Sequence, residues 1–374
     1  MKSLIKWAGG KSREIKKIKE IIPEFDRYIE PFFGGGALFF ELEPSKAVIN
    51  DTSQDLIDFY KTLKGNKSRE KLKIELYKYV SSWEKVKIYM QFFGRDFIYL
   101  HKEYRSDKLN KEEVSNRILD LFQNKIISFN GLFKKSFCIN SKILSANLRK
   151  SLLNKIDRIK KIERKFGIFS DEQLSNHIET AFRSGFYNHF RDILNLSKKG
   201  RLDISKEKEI ANYYFIREFC YGSMFRFNRD GDFNIPYGGI AYNNKNWKKK
   251  IDELFSDKLE KIFNGTSIYN LDFEELLNKI SLTSKDFIFL DPPYYCEFSE
   301  YDNNSFNEND HKRLAKYLSH LKTNFIMIIK EDSFIRKLYE KIPSVNIASF
   351  EKTYLCNMRG RNDRKVTHLI IKNF

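Results

Sequence analysis

Two parts of the chain alternate between short apolar runs and helical patterns, and this alternation limits the possible folds more than any other feature. Near the N-terminus, a strand pattern at 27–30 leads into Pro31-Phe32-Phe33-Gly34-Gly35-Gly36, a helical pattern covers 37–42, and a second strand pattern at 47–51 ends in an aspartate. Strand, glycine turn, helix, strand and acid form the first half of a doubly wound nucleotide-binding sheet. The sequence therefore predicts an α/β fold.

The same alternation resumes in the last third of the chain. Its elements follow in order: strand 267–269, helix 273–280, strand 286–290, helix 309–321, strand 324–329, and β-rich runs at 345–350 and 366–371 that predict a closing antiparallel pair. The residues between the two parts follow helical spacing instead. We therefore predict one α/β domain, formed by 1–58 with 262–374, that is interrupted by a mainly helical insertion at 59–261.

Positive charge is concentrated in the predicted insertion. The whole chain carries 68 Lys and Arg against 50 Asp and Glu, a formal net charge of +18. Between Lys61 and Lys165 there are 27 basic and 11 acidic residues, a net charge of +16. A local field of this size attracts a polyanion, so we expect the insertion to bind nucleic acid phosphates. The same composition also fits a solvated, lysine-rich helical face.

Cysteine and histidine usage points away from metal sites and disulfides. The four cysteines, Cys138, Cys220, Cys296 and Cys356, are far apart and form no Cys-x-x-Cys pair. This pattern argues against a zinc ribbon and is typical of a protein in a reducing cytoplasm. The six histidines show no metal-ligand spacing, so no metal is expected. No run approaches the roughly 20 apolar residues of a membrane span, and we expect a soluble, intracellular protein.

The tetrapeptide Asp291-Pro292-Pro293-Tyr294 is the sharpest chemical signal in the chain. It follows the apolar strand 286–290, at the position where open α/β sheets bind ligands. A nucleobase amino group is a poor nucleophile because its lone pair is delocalised into the ring. The Asp291 carboxylate and the Pro292 carbonyl can accept both amino hydrogens, which directs the lone pair outward, while Tyr294 offers a ring for stacking. The same residues also fit a rigid acidic turn without chemistry.

Two segments near the N-terminus fit the binding of a nucleoside. The glycines of the 31–36 turn let the backbone approach a ligand closely, and the following helix N-terminus favours a carboxylate. Asp51 stands where such sheets place the acid that accepts ribose hydroxyl hydrogens. Lys6-Trp7-Ala8-Gly9-Gly10-Lys11 supplies an aromatic wall and a cation. Separately, these features also fit a tight turn, a helix cap and a flexible terminus. The turn is not Gly-x-Gly-x-x-Gly, so no dinucleotide cofactor is indicated.

Taken together, these segments closely resemble the Dam-like (class alpha) family of DNA adenine methyltransferases. The matches to the family pattern, in its order, are Lys6 to Lys11, Glu30 to Gly36, Asn50-Asp51, Arg226-Phe227-Asn228, Gly231 to Gly238, Asp272-Phe273 and Asp291 to Tyr294. The resemblance implies transfer of a methyl group from S-adenosylmethionine to the N6 amino group of a flipped-out adenine in duplex DNA. It also implies a Rossmann-like methyltransferase sheet with an inserted, mainly helical target-recognition domain.

The resemblance also implies a role for individual residues. The S-adenosylmethionine pocket would comprise Trp7, Ala8, Gly9, Lys11, Glu30, Pro31, Phe32, Gly34, Gly36, Asp51, Asp272, Phe273 and Asp291, with Asp51 on the ribose and Asp272 or Phe273 near the adenine of the cofactor. The target adenine would be bound by Asp291, Pro292, Pro293 and Tyr294. DNA would be contacted by Lys6, Tyr221, Arg226, Asn228, Asn234 and Pro236. No metal is implied. We expect a monomer, either an orphan methylase or the functional partner of a restriction endonuclease.

The chain departs from the family pattern in the region that precedes Arg226. Relatives that read GATC carry Asn-Gly-Leu there, whereas Tyr221 is followed by Gly222-Ser223-Met224-Phe225. We therefore expect a different target sequence, read partly by the extra residues between Leu63 and Ser184. Asn130-Gly131-Leu132-Phe133 echoes the missing motif but does not precede the arginine, so it is not assigned. The basic loop 357–364 fits either a contact with the DNA backbone or a solvated hairpin tip.

Two other functions remain compatible with these residues. The first is methylation of the N4 amino group of cytosine, which uses related chemistry and often a Ser-Pro-Pro-Tyr tetrapeptide. The aspartate at position 291 favours adenine. The second is a non-catalytic DNA-binding protein on the same fold, which the intact Asp291 and the intact glycine turn disfavour.

Overall fold

The computed structural model describes residues 1–7, 14–125, 135–294, 306–353 and 365–374. The chain forms two compact units, Met1–Lys64 with Asp257–Phe374 and Gly65–Ser256. We call the first the sheet unit and the second the helical unit. The helical unit is a few residues shorter at each end than the predicted insertion 59–261. The reason is that the helix ending at Lys64 and the helix beginning at Asp257 belong to the sheet unit. One of these helices ends at Lys64, whose Nζ donates to the carbonyl of Thr266 at 2.6 Å.

The described α-helices are α1 (Ile15–Lys19), α2 (Ala37–Leu42), α3 (Gln54–Lys64), α4 (Asn66–Arg105), α5 (Lys111–Lys125), α6 (Lys135–Cys138), α7 (Ser141–Phe166), α8 (Asp171–Lys198), α9 (Lys206–Phe219), α10 (Trp247–Leu254), α11 (Asp257–Asn264), α12 (Phe273–Lys279), α13 (Glu308–Ser319) and α14 (Ser333–Tyr339). Short 3-10 helices cover Tyr221–Ser223 and Ile240–Tyr242. The strands are β1 (Arg27–Glu30), β2 (Ala47–Asn50), β3 (Thr266–Tyr269), β4 (Asp286–Leu290), β5 (Asn324–Lys330), β6 (Asn346–Thr353) and β7 (Lys365–Lys372).

The sheet unit contains a seven-stranded sheet of order β3-β2-β1-β4-β5-β7-β6. Strands β1 to β5 are parallel, whereas β7 runs antiparallel to both β5 and β6. The predicted α/β class and the closing antiparallel pair are thus confirmed. Every residue of β2 and β4 is buried, which explains their continuous apolar runs. The strand order reverses between β1 and β4, so ligands are expected at the carboxyl ends of these strands.

Three helices and one ion pair stabilise the sheet unit. Apolar side chains of β1, β4, β5 and β7 pack with helices α12 to α14. At the amino end of the sheet, Arg27 on β1 forms two hydrogen bonds with Asp286 on β4, at 2.9 and 2.6 Å. Burial raises the pKa of Asp286, but the Arg27 guanidinium and the Thr283 amide outweigh it and hold this pKa below its usual value. This ion pair fixes the register of the two central strands.

The helical unit is built on the 40-residue helix α4, which packs against α8 and α9. Aromatic side chains form its core, including Tyr79, Trp83 and Phe215, with the Tyr79 and Phe215 rings 4.9 Å apart. Helix α8 begins with a capping box formed by Ser170 and Gln173, which satisfies backbone amides at its N-terminus. Among the described helices, none has the length and apolar character that a membrane crossing requires.

Candidate active site

A single buried side chain, Asn50, joins the carboxyl ends of β1, β2 and β3. Its amide nitrogen donates to the carbonyls of Pro31 at 3.0 Å and Leu271 at 2.9 Å, and its oxygen accepts from the Leu271 amide at 2.9 Å. Next to it, the Asn270 side chain donates to the carbonyl of Asp51 at 2.7 Å. Three loops that are distant in sequence are thereby held at one edge of the sheet. Sequence reasoning matched Asn50 to a motif but gave it no role.

The glycine turn after β1 adopts backbone conformations that side chains rarely tolerate. Gly34 and Gly36 have φ values of 49° and 60°. A Cβ atom on Gly36 would lie 2.4 Å from the Phe33 ring, and one on Gly34 would lie 2.7 Å from the Trp7 ring. Both positions therefore require glycine. The same distances place the predicted pocket residue Trp7 directly against the turn.

The Asp51 carboxylate lies at the end of β2 and stabilises the glycine turn. Its Oδ2 accepts from the Gly34 amide at 2.8 Å, and its Oδ1 accepts from the Ser53 amide at 2.8 Å. Burial raises the pKa of Asp51, and the two amides offset part of that rise. An ionised carboxylate has about four acceptor positions. Asp51 can therefore still accept hydrogens from a ligand hydroxyl.

A second acid, Glu30, lies at the end of β1 and is almost completely buried. The Tyr28 hydroxyl donates to its Oε2 at 2.8 Å. Burial raises the pKa of Glu30 well above its usual value, and the charges of Asp291 and Asp51 add to this effect, although the Tyr28 hydroxyl opposes it. The three carboxyl groups are therefore electrostatically coupled at adjacent strand ends, as is typical of functional sites.

The tetrapeptide Asp291 to Tyr294 directly follows β4, between the carboxyl ends of β1 and β5. Asp291 is partly exposed, Pro292 is buried and Pro293 is exposed. The partly buried Tyr294 ring packs edge-on against His368 of β7, with the ring centroids 5.4 Å apart. The antiparallel strand β7 thus supports the side chain that the sequence predicts to stack on a base.

Asp272 and Phe273, which follow β3, have well-defined structural partners. Asp272 caps α12 by accepting from the Glu274 amide at 3.0 Å, and the Arg313 guanidinium donates to the same carboxylate at 2.5 Å. The buried Phe273 ring packs on Phe32, with centroids 5.5 Å apart. Phe273 therefore packs behind the glycine turn. Asp272 is more exposed than Phe273. Arg313 is a supporting residue that the sequence analysis missed.

Three predicted pocket residues, Ala8, Gly9 and Lys11, lie outside the described residues, as do the loop 357–364 and Asn130 to Phe133. The structure places the other predicted pocket residues at the same sheet edge or on the segments that pack against it. In the described part of the chain, no group of three or more His, Cys, Asp or Glu is arranged to hold a metal ion.

Five of the six predicted DNA-contacting residues lie between Tyr221 and Tyr237, on a hairpin of the helical unit. Its strands are joined by bridges between Phe227 and Phe233 and between Cys220 and Tyr237. The five residues are Tyr221, Arg226, Asn228, Asn234 and Pro236. The sixth, Lys6, belongs to the sheet unit. The family resemblance implies a recognition hairpin that contains Phe233 to Pro236, whereas hydrophobic periodicity does not reveal it, because its paired residues form isolated bridges rather than long apolar strands.

The hairpin is anchored firmly to α8 while its tip remains exposed. Asn195 of α8 donates to the Phe233 carbonyl at 3.1 Å and accepts from the Phe233 amide at 2.9 Å. Arg226 is exposed, and its Nε donates to the Asn234 side chain at 2.7 Å. Tyr221 and Phe227 are 45% and 55% exposed, so the hairpin presents aromatic surface beside a cation. Such a combination is typical of nucleic acid binding surfaces.

Comparison with known proteins identifies relatives along the whole chain. A family model described as "D12 class N6 adenine-specific DNA methyltransferase" matches residues 7–137 and 145–355. A protein named Type II methyltransferase M.CviBI, from Paramecium bursaria Chlorella virus NC1A, is 24% identical over 380 residues and is covered completely, as is this chain. Type II methyltransferase M.MjaIII from Methanocaldococcus jannaschii is 25% identical over 394 residues, which cover 100% of this chain and 99% of that protein.

A shorter match is closer in sequence. The DNA N-6-adenine-methyltransferase of Escherichia phage P1 is 48% identical over 62 residues, which are 17% of this chain and 8% of that protein.

Proposed function

Because this chain belongs to the D12 class of N6 adenine-specific DNA methyltransferases, we propose that Asp291 and Pro292 hold the amino group of an adenine extruded from duplex DNA. The family makes the protein an enzyme that methylates adenine in DNA. The observation that supports this proposal most is the convergence of strand ends at one edge of the sheet. Asn50 binds the Pro31 carbonyl before the glycine turn, Asp51 accepts from the Gly34 amide, and the charge of Asp291 raises the pKa of Glu30 in addition to the larger effect of burial.

We propose S-adenosylmethionine as the methyl donor, and the described residues fit it. Asp51 offers free acceptor positions for the ribose hydroxyls. Gly34 and Gly36 give the turn its left-handed backbone conformation, and the Trp7 ring packs on the turn as a wall of the proposed pocket. The carboxylates nearby favour a ligand with a positively charged sulfonium and amino group. When bound, S-adenosylmethionine supplies an activated methyl group. Lys11, Ala8 and Gly9 stay proposed members of this pocket.

The catalytic contribution of the protein is mainly one of positioning. Asp291 accepts one hydrogen of the adenine amino group and the Pro292 carbonyl accepts the other, so that the nitrogen lone pair points away from the ring. Tyr294 stacks on the base, supported by His368. Holding both reactants in line replaces a bimolecular encounter with an oriented one, which lowers the barrier by several kcal/mol. Extrusion of the adenine costs a few kcal/mol of lost stacking and pairing.

We propose that the helical unit is the target-recognition domain and that its hairpin reads bases. Asn234 orients the Arg226 guanidinium through the 2.7 Å hydrogen bond. An oriented guanidinium can form two hydrogen bonds to a guanine edge in the major groove. Tyr221, Asn228 and Pro236 line the same hairpin, and Lys6 is proposed to contact DNA from the sheet unit. We further propose a monomer whose target differs from GATC, acting alone or beside a restriction endonuclease.

Replacing Arg226 with alanine is expected to relax target recognition. If the guanidinium contacts a base, its loss should cost about 1–3 kcal/mol of discrimination at that base pair. The measurement is sequencing of methylated positions in a library of randomised duplexes. Arg229→Ala, at the exposed tip of the same hairpin, is the matched control and should leave the target pattern unchanged. An identical pattern in wild type and Arg226→Ala would remove Arg226 from base recognition.

The reaction itself is tested by incubating the purified protein with labelled S-adenosylmethionine and duplex DNA, followed by identification of the labelled nucleoside. We expect label in N6-methyladenine. Label in N4-methylcytosine would establish the cytosine alternative, and binding to DNA without any label transfer would favour the non-catalytic one.

A further inference from the structure

Helix α7 presents a row of basic side chains to solvent. The helix contains nine Lys and Arg and two Asp and Glu, and one of the acids, Glu163, is buried. Lys150, Arg158 and Lys165 are exposed and form no ion pair within the described ranges of the chain. At 100° per residue the three lie within an arc of about 80°, over about 22 Å of helix. We call these three residues the α7 ridge.

The charges around the ridge repel one another. Burial lowers the pKa of Lys155 on α7, and the nearby Arg158 lowers it further. Burial also lowers the pKa of His177 on α8, and the charges of Lys155 and Arg158 add to that decrease. Each of these shifts therefore includes repulsion between cations, with no acid among its causes. Such a concentration of positive charge destabilises the free protein and is relieved by a polyanion.

The position of the ridge suits a second contact on the same DNA duplex. Helices α7 and α8 lie in close contact, since a Cβ atom on Gly185 would lie 2.7 Å from the Leu148 Cα. The hairpin is anchored at Asn195 of α8, and His177, beside the ridge, lies 18 residues earlier on the same helix. At 1.5 Å per residue the two points are about 27 Å apart. This distance corresponds to about eight base pairs of DNA at 3.4 Å each.

We propose that the α7 ridge binds the phosphate backbone of DNA, with Arg158 about eight base pairs from the bases read by the hairpin and Lys150 nearer to them, since Ser151 beside it contacts Asn188 of α8. This deepens the proposed function and rests on it. The basic residues of α7 would then increase the affinity for DNA without contributing to sequence recognition, because phosphates are the same at every base pair. The enzyme would then require a duplex considerably longer than its recognition sequence for tight binding.

The test compares two triple variants on two duplexes. The ridge variant is Lys150→Gln/Arg158→Gln/Lys165→Gln. The control, Lys71→Gln/Lys206→Gln/Lys248→Gln, removes the same charge from exposed lysines that are paired with Glu207, Glu209 and Asp252. Binding to duplexes of about 40 and about 12 base pairs, each centred on the methylated site, is measured as a function of salt. Thermal melting establishes that both variants are folded.

On the long duplex, we expect the ridge variant to bind at least tenfold more weakly than wild type. The slope of log K against log salt should decrease in magnitude by about two to three, since each lost phosphate contact removes about 0.9. The control should change the slope by less than one. On the short duplex, which Arg158 and Lys165 do not reach, the slopes of ridge variant and wild type should differ by no more than about one. Equal slopes for ridge and control variants on the long duplex would overturn the proposal.

Methyl transfer to the short duplex distinguishes a failure of the ridge proposal from a failure of the proposed adenine methylation. If the wild type methylates the short duplex but the ridge variant shows the wild-type salt slope on the long one, only the ridge assignment fails. If the wild type methylates neither duplex, the proposed reaction itself fails. Single substitutions at the three ridge positions should each give about a third of the full change in slope.

Discussion

Asp291→Ala is expected to reduce methyl transfer to DNA on the order of a thousandfold while changing the affinity for S-adenosylmethionine at most a few-fold. The carboxylate is proposed to act on the amino group in the transition state, and removal of one such preorganised partner costs about 2.7–4 kcal/mol. The cofactor would keep its contacts with Asp51, which binds the Gly34 amide, and with the glycine turn, which Asn50 holds through the Pro31 carbonyl. Single-turnover transfer and calorimetric titration measure the two quantities.

Asp332→Ala provides the matched control for this experiment. Asp332 also belongs to the sheet unit, where it caps α14 by accepting from the Phe334 amide at 2.8 Å. Loss of such a cap costs about 1 kcal/mol of stability, so transfer by this variant should stay close to the wild-type rate. Normal turnover by Asp291→Ala would refute the assignment of the catalytic carboxylate.

Asn50→Leu is expected to destabilise the sheet unit by at least about 3 kcal/mol and to weaken the binding of S-adenosylmethionine. The change keeps the branched shape and the number of non-hydrogen atoms of the side chain but leaves the carbonyls of Pro31 and Leu271 and the amide of Leu271 without their partner. Each unsatisfied buried group costs about 1–3 kcal/mol. Because these groups connect the glycine turn to the loop after β3, the pocket should lose its shape before the rest of the unit unfolds.

Asn212→Leu separates the loss of pocket shape from a general loss of stability. Asn212 is equally buried in the helical unit, where it donates to the Phe190 carbonyl at 2.9 Å and accepts from the Tyr79 hydroxyl at 3.2 Å. Both variants should melt earlier than wild type, but only Asn50→Leu should bind the cofactor at least tenfold more weakly at a temperature where both are folded. Equal affinities in the two variants would show that Asn50 has no role in shaping the pocket.

The architecture of the sheet was predictable because its local signals agree with its tertiary structure. The predicted strands 27–30 and 286–290 coincide with β1 and β4, and the helix 37–42 coincides with α2. In these segments, apolar runs end at glycine, proline or aspartate, where the chain must turn. Helix α14 was missed, although Asp332 is a readable cap, because one short helix carries too few turns to display a period.

The supporting interactions of the site could not be predicted in the same way. Asn50 was visible as a strand-end residue, but its partners Pro31 and Leu271 are 19 and 221 residues away. The burial of a charged side chain could not be predicted from the sequence either. Glu218 is fully buried between Lys245 and Lys250, which hold the pKa of its carboxyl below the usual value although burial raises it. Such pairings depend on the fold as a whole, whereas motif residues depend on local chemistry.

The most direct test of the central claim is a crystal structure of the enzyme with a duplex containing its target site and an unreactive analogue of S-adenosylmethionine. We expect the target adenine outside the helix, with its amino nitrogen about 2.7–3.2 Å from both an Asp291 carboxylate oxygen and the Pro292 carbonyl. An adenine still stacked in the duplex, or one bound with its amino group away from these two oxygens, would contradict the account.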